Sequence, residues 1–303
     1  MFSYRHAFHA GNHADVLKHM VLVQLLAYLN QKDAAYMVID THAGAGTYQL
    51  DSDYATKSGE AESGIARLWE RDDVPEIVAD YLEVIQAMNP SGRLRHYPGS
   101  PFIAEHVMRE KDRLRLFELH STDIRLLVEN FRKLEAHQAA NGVRSSARGK
   151  RVMIERADGF AGLRSLLPPP SRRGLVLIDP PYEDKDDYRK VKAAVEDAQR
   201  RFATGTYAIW YPVLGRLDSQ QLPERLKRVA ASEWLHVTLS VGAPAEGRGL
   251  QSSGMFIINP PWTLEASLQK AMPWLAEVLG RDGAGRFQIQ KGLAASPAKE
   301  RRE

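Results

Sequence analysis

From about residue 97 onward, the chain alternates short apolar runs rich in β-branched residues with longer amphipathic segments. This alternation is typical of βαβ units, in which helices cover a largely parallel sheet. One further apolar run precedes residue 97, and together the runs predict the strands of a single seven-stranded sheet. The predicted strands are Tyr36–Asp40, Leu114–Leu119, Val152–Arg156, Gly174–Asp179, Thr206–Tyr211, Leu235–Val241 and Met255–Asn259.

Most of the segments between these strands carry apolar residues at helical spacing. The linker between the last two strands is different, because residues 242–254 are rich in Gly, Pro and Ser. With no helix to cross the sheet, these two strands are predicted to pair antiparallel at a sheet edge. The predicted helices are Pro101–Glu110, Thr122–Glu135, Tyr188–Phe202, Ser219–Ala230 and Leu264–Leu279.

Two early segments do not belong to this alternation. A helix over residues 12–30, capped by Asn12 or Asp15, precedes the first strand. Residues 51–96 show helical patterns and separate the first strand from its expected helix, so they are predicted to be an insertion. We therefore predict one α/β domain, made of an N-terminal segment, helix and first strand (1–50), a small helical insertion (51–96), the remainder of the domain (97–285) and a flexible tail (286–303).

The most informative motif is the sequence Asp-Pro-Pro-Tyr at positions 179–182, which follows an apolar strand. Ligands of open α/β sheets bind beyond the carboxyl ends of the strands, where Asp179 is expected. The prolines fix the backbone, so the carbonyl of Pro180 can face outward as a rigid acceptor. A carboxylate and a carbonyl together suit an exocyclic amine, which has two protons to donate. Tyr182 would offer a ring on which a base could stack.

A second motif of similar form, Asn259-Pro260-Pro261-Trp262, follows the last predicted strand. Asn-Pro-Pro-aromatic sequences also serve some amino-methyltransferases. Its predicted position at the sheet edge far from the first strand argues against it, since Asp179 would lie beside that strand. We therefore predict that Asn259–Trp262 is structural.

A cofactor pocket is predicted from several further strand ends. The first strand runs into Asp40-Thr-His42-Ala-Gly44-Ala-Gly46, where glycines allow a cofactor to approach the backbone. Glu118 closes the second strand and suits ribose hydroxyls. Asp158-Gly159 follows the third strand and suits an adenine amino group, and Ser100 is the predicted N-cap of the helix after the insertion. Each of these motifs could also be a simple helix cap or turn. Their order along the chain, taken together, suggests a binding site for S-adenosylmethionine.

The amino terminus is rich in His, with His6, His9, His13 and His19 among the first nineteen residues. Their spacing matches no common metal-ligand pattern, so we predict no metal site. Together with Tyr4, His6 and Lys18, the segment suits RNA contact through stacking and phosphate neutralisation. Lys18 and His19, one turn into the helix, could instead reach the cofactor site.

Composition narrows the classes further. The chain has no Cys, which excludes disulfides, thiolate metal sites and every cysteine nucleophile. The net charge of +3 is small for a nucleic-acid-binding protein, although basic residues concentrate in places such as Arg144–Arg151. No apolar run approaches the roughly 18 residues of a membrane span. The sequence thus predicts a cytoplasmic protein with a basic rim around an acidic pocket.

With these motifs, the chain resembles the RlmJ family of bacterial 23S ribosomal RNA adenine-N6 methyltransferases. The resemblance covers nearly the whole chain to about residue 280, although the basic loop 136–151 and the tail depart from the family pattern. It is carried by Met1–Lys18, Asp40–Leu50, Tyr97–Pro101, Ala157–Phe160 and Arg172–Tyr182, with support from Phe202–Pro212 and Ser253–Trp262.

The resemblance implies a class I (Rossmann-like) methyltransferase that is monomeric and uses S-adenosylmethionine without a metal. Carried over by motif, the residues of the cofactor pocket are His19, His42, Ser100, Glu118, Asp158, Gly159 and Asp179. Asp179 would be the catalytic residue, assisted by Pro180 and Tyr182, while Tyr4, His6 and Lys18 would serve the RNA. The expected reaction is direct in-line methyl transfer to adenine N6 in 23S rRNA, which leaves S-adenosylhomocysteine.

Three alternatives remain open from the sequence. An N6-adenine DNA methyltransferase would use the same Asp-Pro-Pro-Tyr motif. A glutamine side-chain methyltransferase would prefer Asn at the first position, so Asp179 argues mildly against it. A non-catalytic RNA-binding protein with a relic fold would not need an intact motif.

Overall fold

Ten strands are present in the computed structural model, which describes residues 6–51, 59–142, 151–242 and 249–294. In chain order they are β1 (Met37–Asp40), β2 (Thr47–Gln49), β3 (His96–Pro98), β4 (Arg113–Phe117), β5 (Val152–Glu155), β6 (Gly174–Ile178), β7 (Thr206–Pro212), β8 (Trp234–Ser240), β9 (Ser252–Ile258) and β10 (Arg286–Gly292). The α-helices are α1 (His13–Asn30), α2 (Ala66–Trp69), α3 (Glu76–Ala87), α4 (Ser100–Val107), α5 (Ser121–Ala140), α6 (Gly159–Leu166), α7 (Asp186–Arg201), α8 (Leu217–Val229) and α9 (Leu264–Leu279).

Eight of the strands form one sheet in the order β10-β8-β9-β7-β6-β1-β4-β5. The five strands from β7 to β5 are mutually parallel, and the three at the other end pair antiparallel. The predicted α/β class and mostly parallel sheet are confirmed. The predicted placement of the last strand is wrong, because β9 inserts between β7 and β8 instead of forming the edge.

The predicted count of seven strands is also wrong, since β10 pairs antiparallel with β8 and forms the eighth strand. The prediction of a flexible tail from residue 286 therefore fails over Arg286–Gly292. β10 is an edge strand in which Phe287 is half exposed and the polar residues outnumber the apolar ones. Such a strand is held by backbone pairing and lacks the apolar run by which sequence reasoning finds strands. Residues 295–303 of the predicted tail lie outside the described residues.

Helix α1 crosses one face of the sheet and is buried along most of its length. The side chain of Asn12 caps it by accepting from the backbone N–H groups of Ala14 and Asp15, each at 2.9 Å. This confirms one of the two predicted caps. Because α1 is apolar on nearly all sides, its few charged residues are held inside the protein, and they include Asp15 and Lys18.

Residues 51–96 contain α2 and α3, which pack beside α1 and α9. The segment is framed by a two-stranded antiparallel ribbon of β2 and β3, in which Tyr48 lies opposite Tyr97. The chain therefore leaves the large sheet after β1 and returns directly to the start of α4. This path brings the beginning of α4 to the carboxyl end of β1.

Alternate residues of β6 enter two separate cores. Leu175 and Leu177 join the core under α1, whereas Val176 and Ile178 join the core under α7 and α8. All five residues of β6 are buried, so the strand leaves the core only at its carboxyl end. Within the described ranges, no helix combines the length and the apolar character that a membrane crossing requires.

Candidate active site

A cavity of about 560 Å³ opens at the carboxyl ends of β1, β4, β5 and β6. This is the edge at which ligands of open α/β sheets bind. Every described residue that the sequence assigns to the cofactor lines this cavity, as do His6, Lys18 and Pro180. The lining residues from these predictions are His6, Lys18, His19, His42, Ser100, Glu118, Asp158, Gly159, Asp179 and Pro180.

Asp179 follows the last residue of β6, beside β1 as predicted. Its Oδ2 accepts a hydrogen bond from Lys18 Nζ at 2.6 Å. Lys18 reaches it from α1, so a buried cation joins the helix to the end of the central strand. Among the residues that the structure describes, none donates a hydrogen bond to the other carboxylate oxygen of Asp179, which can therefore accept one from a ligand in the cavity.

Lys18 is held by a second carboxylate, Asp15, whose Oδ1 lies 2.9 Å from Nζ. Asp15 Oδ2 also lies 2.9 Å from His6 Nε2 and accepts from the Gly11 N–H at 3.0 Å. Burial would lower the pKa of Lys18, but the charges of Asp15 and Asp179 outweigh it and raise the pKa above its ordinary value. Lys18 therefore stays charged at neutral pH.

Burial would likewise raise the pKa of Asp15, but the charges of His6, Lys18 and His19 lower it well below its usual range. The four side chains His6, Asp15, Lys18 and Asp179 thus form a continuous polar chain, and all of them except Asp15 line the cavity. We call it the Lys18 network.

Tyr182 does not occupy the position predicted for it. Its side chain is only 1% exposed, and the ring packs 4.6 Å from the ring of Tyr188. The hydroxyl donates to the carbonyl of Trp210 at 2.8 Å. The stacking surface predicted for Tyr182 is therefore turned into the core, while Pro180 and Pro181 line the cavity. Sequence reasoning missed this because the motif fixes the backbone but not the side-chain direction.

The turn after β1 is held by Glu118, which follows β4. Gly44 and Gly46 both have positive φ angles, +60° and +83°, which favour glycine. Glu118 Oε2 accepts from the Gly44 N–H at 2.8 Å, and Oε1 accepts from the His120 N–H at 2.6 Å. Burial raises the pKa of Glu118, although these two backbone donors oppose the shift.

The prediction that Ser100 caps α4 is wrong. Gly99 occupies the N-cap position, and Ser100 is the first helical residue. Its hydroxyl instead donates to Asp40 Oδ2 at 2.6 Å, across the carboxyl end of β1. The Asp40 Oδ1 accepts from the His42 N–H at 3.2 Å. Burial raises the pKa of Asp40 to about 6, despite these two hydrogen bonds.

Two aromatic groups border the cavity near β5. The His42 ring lies edge-on to Phe160, with 5.0 Å between the ring centroids. Burial lowers the pKa of His42 to about 3, so the ring is neutral at physiological pH. Asp158 is exposed and caps α6 by accepting from the Phe160 N–H at 2.9 Å.

Gly159 marks a close approach between two parts of the site. A Cβ at this position would lie 2.1 Å from the carbonyl oxygen of Thr41. We expect Gly159→Ala to lower the free energy of unfolding by about 1–3 kcal/mol, because the start of α6 must move away from the loop after β1. Denaturant unfolding measures this. Gly215→Ala is the matched control, since a Cβ there meets no atom of the described residues within 4 Å. Equal losses for the two variants would contradict the packing argument.

His19 is fully buried at the cavity wall. Its Nδ1 lies 2.8 Å from the Tyr97 hydroxyl, which in turn lies 2.9 Å from the Tyr81 hydroxyl. Burial lowers the pKa of His19 well below its ordinary value. Within the described part of the chain, His19 Nε2 has no hydrogen-bond partner. A buried polar atom left free at a cavity wall suits a polar ligand group.

Asn259 is placed far from this cavity, for a reason that differs from the predicted one. β9 runs antiparallel to β7, so its carboxyl end points to the opposite edge of the sheet. The Asn259 side chain donates to the carbonyls of Ala203 and Gly205 at 2.8 and 2.6 Å. These contacts tie down a neighbouring loop, which fits the structural role predicted for Asn259, and Trp262 is 82% exposed on that side.

Some predicted residues lie outside the described ranges. These are Tyr4, with its expected RNA contact, and most of the basic stretch Arg144–Arg151. Across the described ranges, no cluster of three or more His, Asp or Glu side chains is arranged to hold a metal ion.

Sequence reasoning assigned no site role to Asp15 or Asp40. Asp15 and Lys18 are three residues apart on α1, and that spacing puts two opposite charges on one helix face. This signal was available, but only the fold shows that the pair is buried next to Asp179. In the sequence alone, Asp40 is an ordinary polar strand end, and only its hydrogen bond with Ser100 assigns it to the site.

The sheet order, the antiparallel β9 and the acidic pocket at the carboxyl ends define a class I (Rossmann-like) methyltransferase. A family model described as "Ribosomal RNA large subunit methyltransferase D, RlmJ" matches residues 33–291. The chain belongs to this family, and the resemblance found from its motifs is confirmed.

Two relatives and one solved structure support the assignment. Ribosomal RNA large subunit methyltransferase J of Escherichia coli is 46% identical over 289 residues, covering 95% of this chain and 98% of the relative. The protein of the same name from Haemophilus influenzae is 43% identical over 291 residues, covering 96% and 98%. A crystal structure of a Legionella pneumophila protein is 33% identical, with a TM-score of 0.82 and coverage of 94% and 98%.

Proposed function

We propose that this protein transfers a methyl group from S-adenosylmethionine to the exocyclic N6 of a specific adenine in 23S rRNA, acting as a monomer in the cytoplasm. The observation that carries the proposal is the position of Asp179, directly after the buried central strand and at the wall of the cavity. Family membership supports the rRNA substrate, and the Asp-Pro-Pro motif supports an amine as the acceptor.

The residues around the cavity fit the cofactor. The unpartnered His19 Nε2 and the free lone pairs of Glu118 offer polar contacts, and Asp158 is exposed at the start of α6. The residues that would hold the cofactor are His19, His42, Ser100, Glu118, Asp158 and Gly159. When bound, S-adenosylmethionine supplies a methyl group on a sulfonium, which is already an activated donor.

The protein's own contribution is to position the amine. An exocyclic amine conjugated with a purine ring is a weak nucleophile, so its lone pair must be turned out of the ring plane. Asp179 Oδ1 and the Pro180 carbonyl would accept hydrogen bonds from its two N–H groups and favour that geometry. As the methyl group moves from sulfur to nitrogen, the displaced amine proton is released to solvent. Lys18 donates to Asp179 Oδ2 and leaves Oδ1 facing the amine. Orientation of this kind can supply much of the rate enhancement.

RNA and DNA substrates distinguish this proposal from its nearest alternative. Purified protein would be incubated with tritium-labelled S-adenosylmethionine and either in-vitro transcribed 23S rRNA or the DNA duplex of the same sequence. We expect label to enter the RNA only. Preferential labelling of the DNA would favour a DNA methyltransferase, and cofactor binding without labelling of either would favour a non-catalytic RNA-binding protein.

Cofactor affinity should depend on pH through Asp40. Because burial raises its pKa to about 6, the carboxyl takes up a proton in the folded protein as pH falls through 6. A protonated Asp40 can no longer accept from both Ser100 and the His42 N–H. We expect calorimetric titrations from pH 8 to 5 to show affinity for S-adenosylmethionine falling with a midpoint near 6. Asp40→Asn should remove that inflection, and an unchanged inflection in this variant would assign it to another group.

A further inference from the structure

The loop that carries the Asp-Pro-Pro-Tyr motif contains a strained residue. Tyr182 has a φ of +52°, a left-handed conformation that bulky side chains rarely adopt. Such conformations are energetically unfavourable and persist only where surrounding contacts impose them. The contacts around Tyr182 should therefore show what holds the loop in place.

Two hydrogen bonds hold Tyr182, one at its side-chain hydroxyl and one at its backbone carbonyl. Its hydroxyl donates to the Trp210 carbonyl at 2.8 Å, and its own carbonyl accepts from Arg216 Nη2 at 2.9 Å. The Arg216 guanidinium also lies 5.4 Å from the ring centroid of Tyr188, which packs against Tyr182. Arg216 lies just before α8, outside the cavity, so it touches the loop from behind.

The two hydrogen bonds of Tyr182 lie close along the chain to a group that would bind the amine. The Pro180 carbonyl, which would accept a hydrogen bond from the amine, is only two residues from the strained position. If Tyr182 relaxed to an ordinary backbone conformation, the direction of the chain through Pro180 and Pro181 would change. A shift of this kind would misplace an acceptor whose only role is orientation.

We propose that Arg216 is a positioning residue, which clamps the Tyr182 carbonyl and thereby fixes the Pro180 carbonyl beside Asp179. Tyr182 then serves as the buried anchor of the loop, not as a stacking surface for the base. The proposal rests on the proposed function, since it assigns a part of the same amine-binding site.

The test compares Arg216→Ala with Arg225→Ala. Arg225 lies on α8, the helix that Arg216 precedes, and is also partly buried, but it bonds to Gln221 at 2.8 Å, away from the loop. We expect Arg216→Ala to lower kcat on 23S rRNA by about tenfold or more, with the affinity for S-adenosylmethionine unchanged. Arg216→Lys should recover part of the rate, and Arg225→Ala should match the unmodified protein.

Tyr182→Phe separates the anchor from a stacking role. This variant keeps the ring but removes the hydrogen bond from the hydroxyl to Trp210. If Tyr182 anchors the loop, kcat should fall, whereas if its ring stacks on the base, kcat should be unchanged. Hydrogen–deuterium exchange gives a readout that needs no activity: amides of residues 182–184 should exchange faster in Arg216→Ala and not in Arg225→Ala.

These measurements keep the two proposals apart. If the protein without substitutions does not methylate 23S rRNA, the proposed function is contradicted. The hydrogen–deuterium exchange data would still test whether Arg216 holds the Tyr182 carbonyl. Full activity and unchanged exchange in Arg216→Ala would overturn the clamp alone. A lower kcat accompanied by an equal loss of cofactor affinity would also overturn it, because that result indicates general structural damage.

Discussion

Asp179→Asn is expected to lower methyl transfer to 23S rRNA by about 100-fold or more. The amide replaces one acceptor oxygen by an NH2 donor, which repels the amine it should bind. The substitution also places a neutral group next to the Lys18 ammonium, whose Nζ lies 2.6 Å from the carboxylate of Asp179 in the protein without the substitution. Single-turnover rates at saturating cofactor measure the effect.

Cofactor binding separates this result from unfolding. Asp179→Asn should bind S-adenosylmethionine nearly as well as the unmodified protein, because the other residues of the pocket are unchanged. Asp186→Asn is the matched control, since Asp186 is exposed and pairs with Arg189 on the surface. A near-normal rate for Asp179→Asn would remove this residue from the reaction.

Lys18→Met is expected to lower the free energy of unfolding by about 3–5 kcal/mol, the typical cost of removing one partner from a buried ion pair. The side chains of Lys18 and Asp15 are 5% and 2% exposed. Without the cation, the buried carboxylate of Asp15 and the partly buried carboxylate of Asp179 lose the positive charge they share, and methyl transfer should be lost as well. Chemical denaturation followed by circular dichroism measures the stability.

The pH dependence gives this prediction a distinct signature. In the unmodified protein the pKa of Asp15 is held well below its usual range, so its stabilising contribution is present above pH 4 and is lost as pH falls below that value. In Lys18→Met one of the two carboxyls should instead bind a proton at higher pH. The stability difference between the two proteins should therefore shrink as pH falls from 7 towards 5.

Lys192→Met provides the control for Lys18→Met. Lys192 Nζ lies 2.6 Å from Glu196 Oε2, but the two side chains are 38% and 35% exposed. Exposed pairs contribute at most about 1 kcal/mol, so this variant should stay within that limit. A Lys18→Met protein as stable as Lys192→Met would show that the Lys18 network does not hold the site together.

The parts of the fold that the sequence predicts well are those with a strong apolar signature. The strand Gly174–Ile178 is buried on both faces and reads as one apolar run, and α9 was placed over its observed range, Leu264–Leu279. Short or polar elements such as β2, β3 and β10 were missed, because backbone pairing holds them and leaves little trace in side-chain pattern.

Local sequence pattern does not specify strand order or side-chain direction. The Gly-, Pro- and Ser-rich composition of residues 242–254 correctly predicts an antiparallel strand, but a place on either side of β8 satisfies that condition. In the same way, the motif at Asp179 fixed the place of the carboxylate, whereas the inward turn of Tyr182 depends on a bond to Trp210 from the next strand. Contacts between distant parts of the chain decide both features.

The central claim is that this protein methylates adenine N6 in 23S rRNA. The most direct test supplies S-adenosylmethionine with a trideuterated methyl group to the purified protein and in-vitro transcribed 23S rRNA, then digests the RNA to nucleosides for mass spectrometry. We predict trideuterated N6-methyladenosine as the labelled product, absent with Asp179→Asn. Label on any other nucleoside, or equal label with Asp179→Asn, would contradict the account.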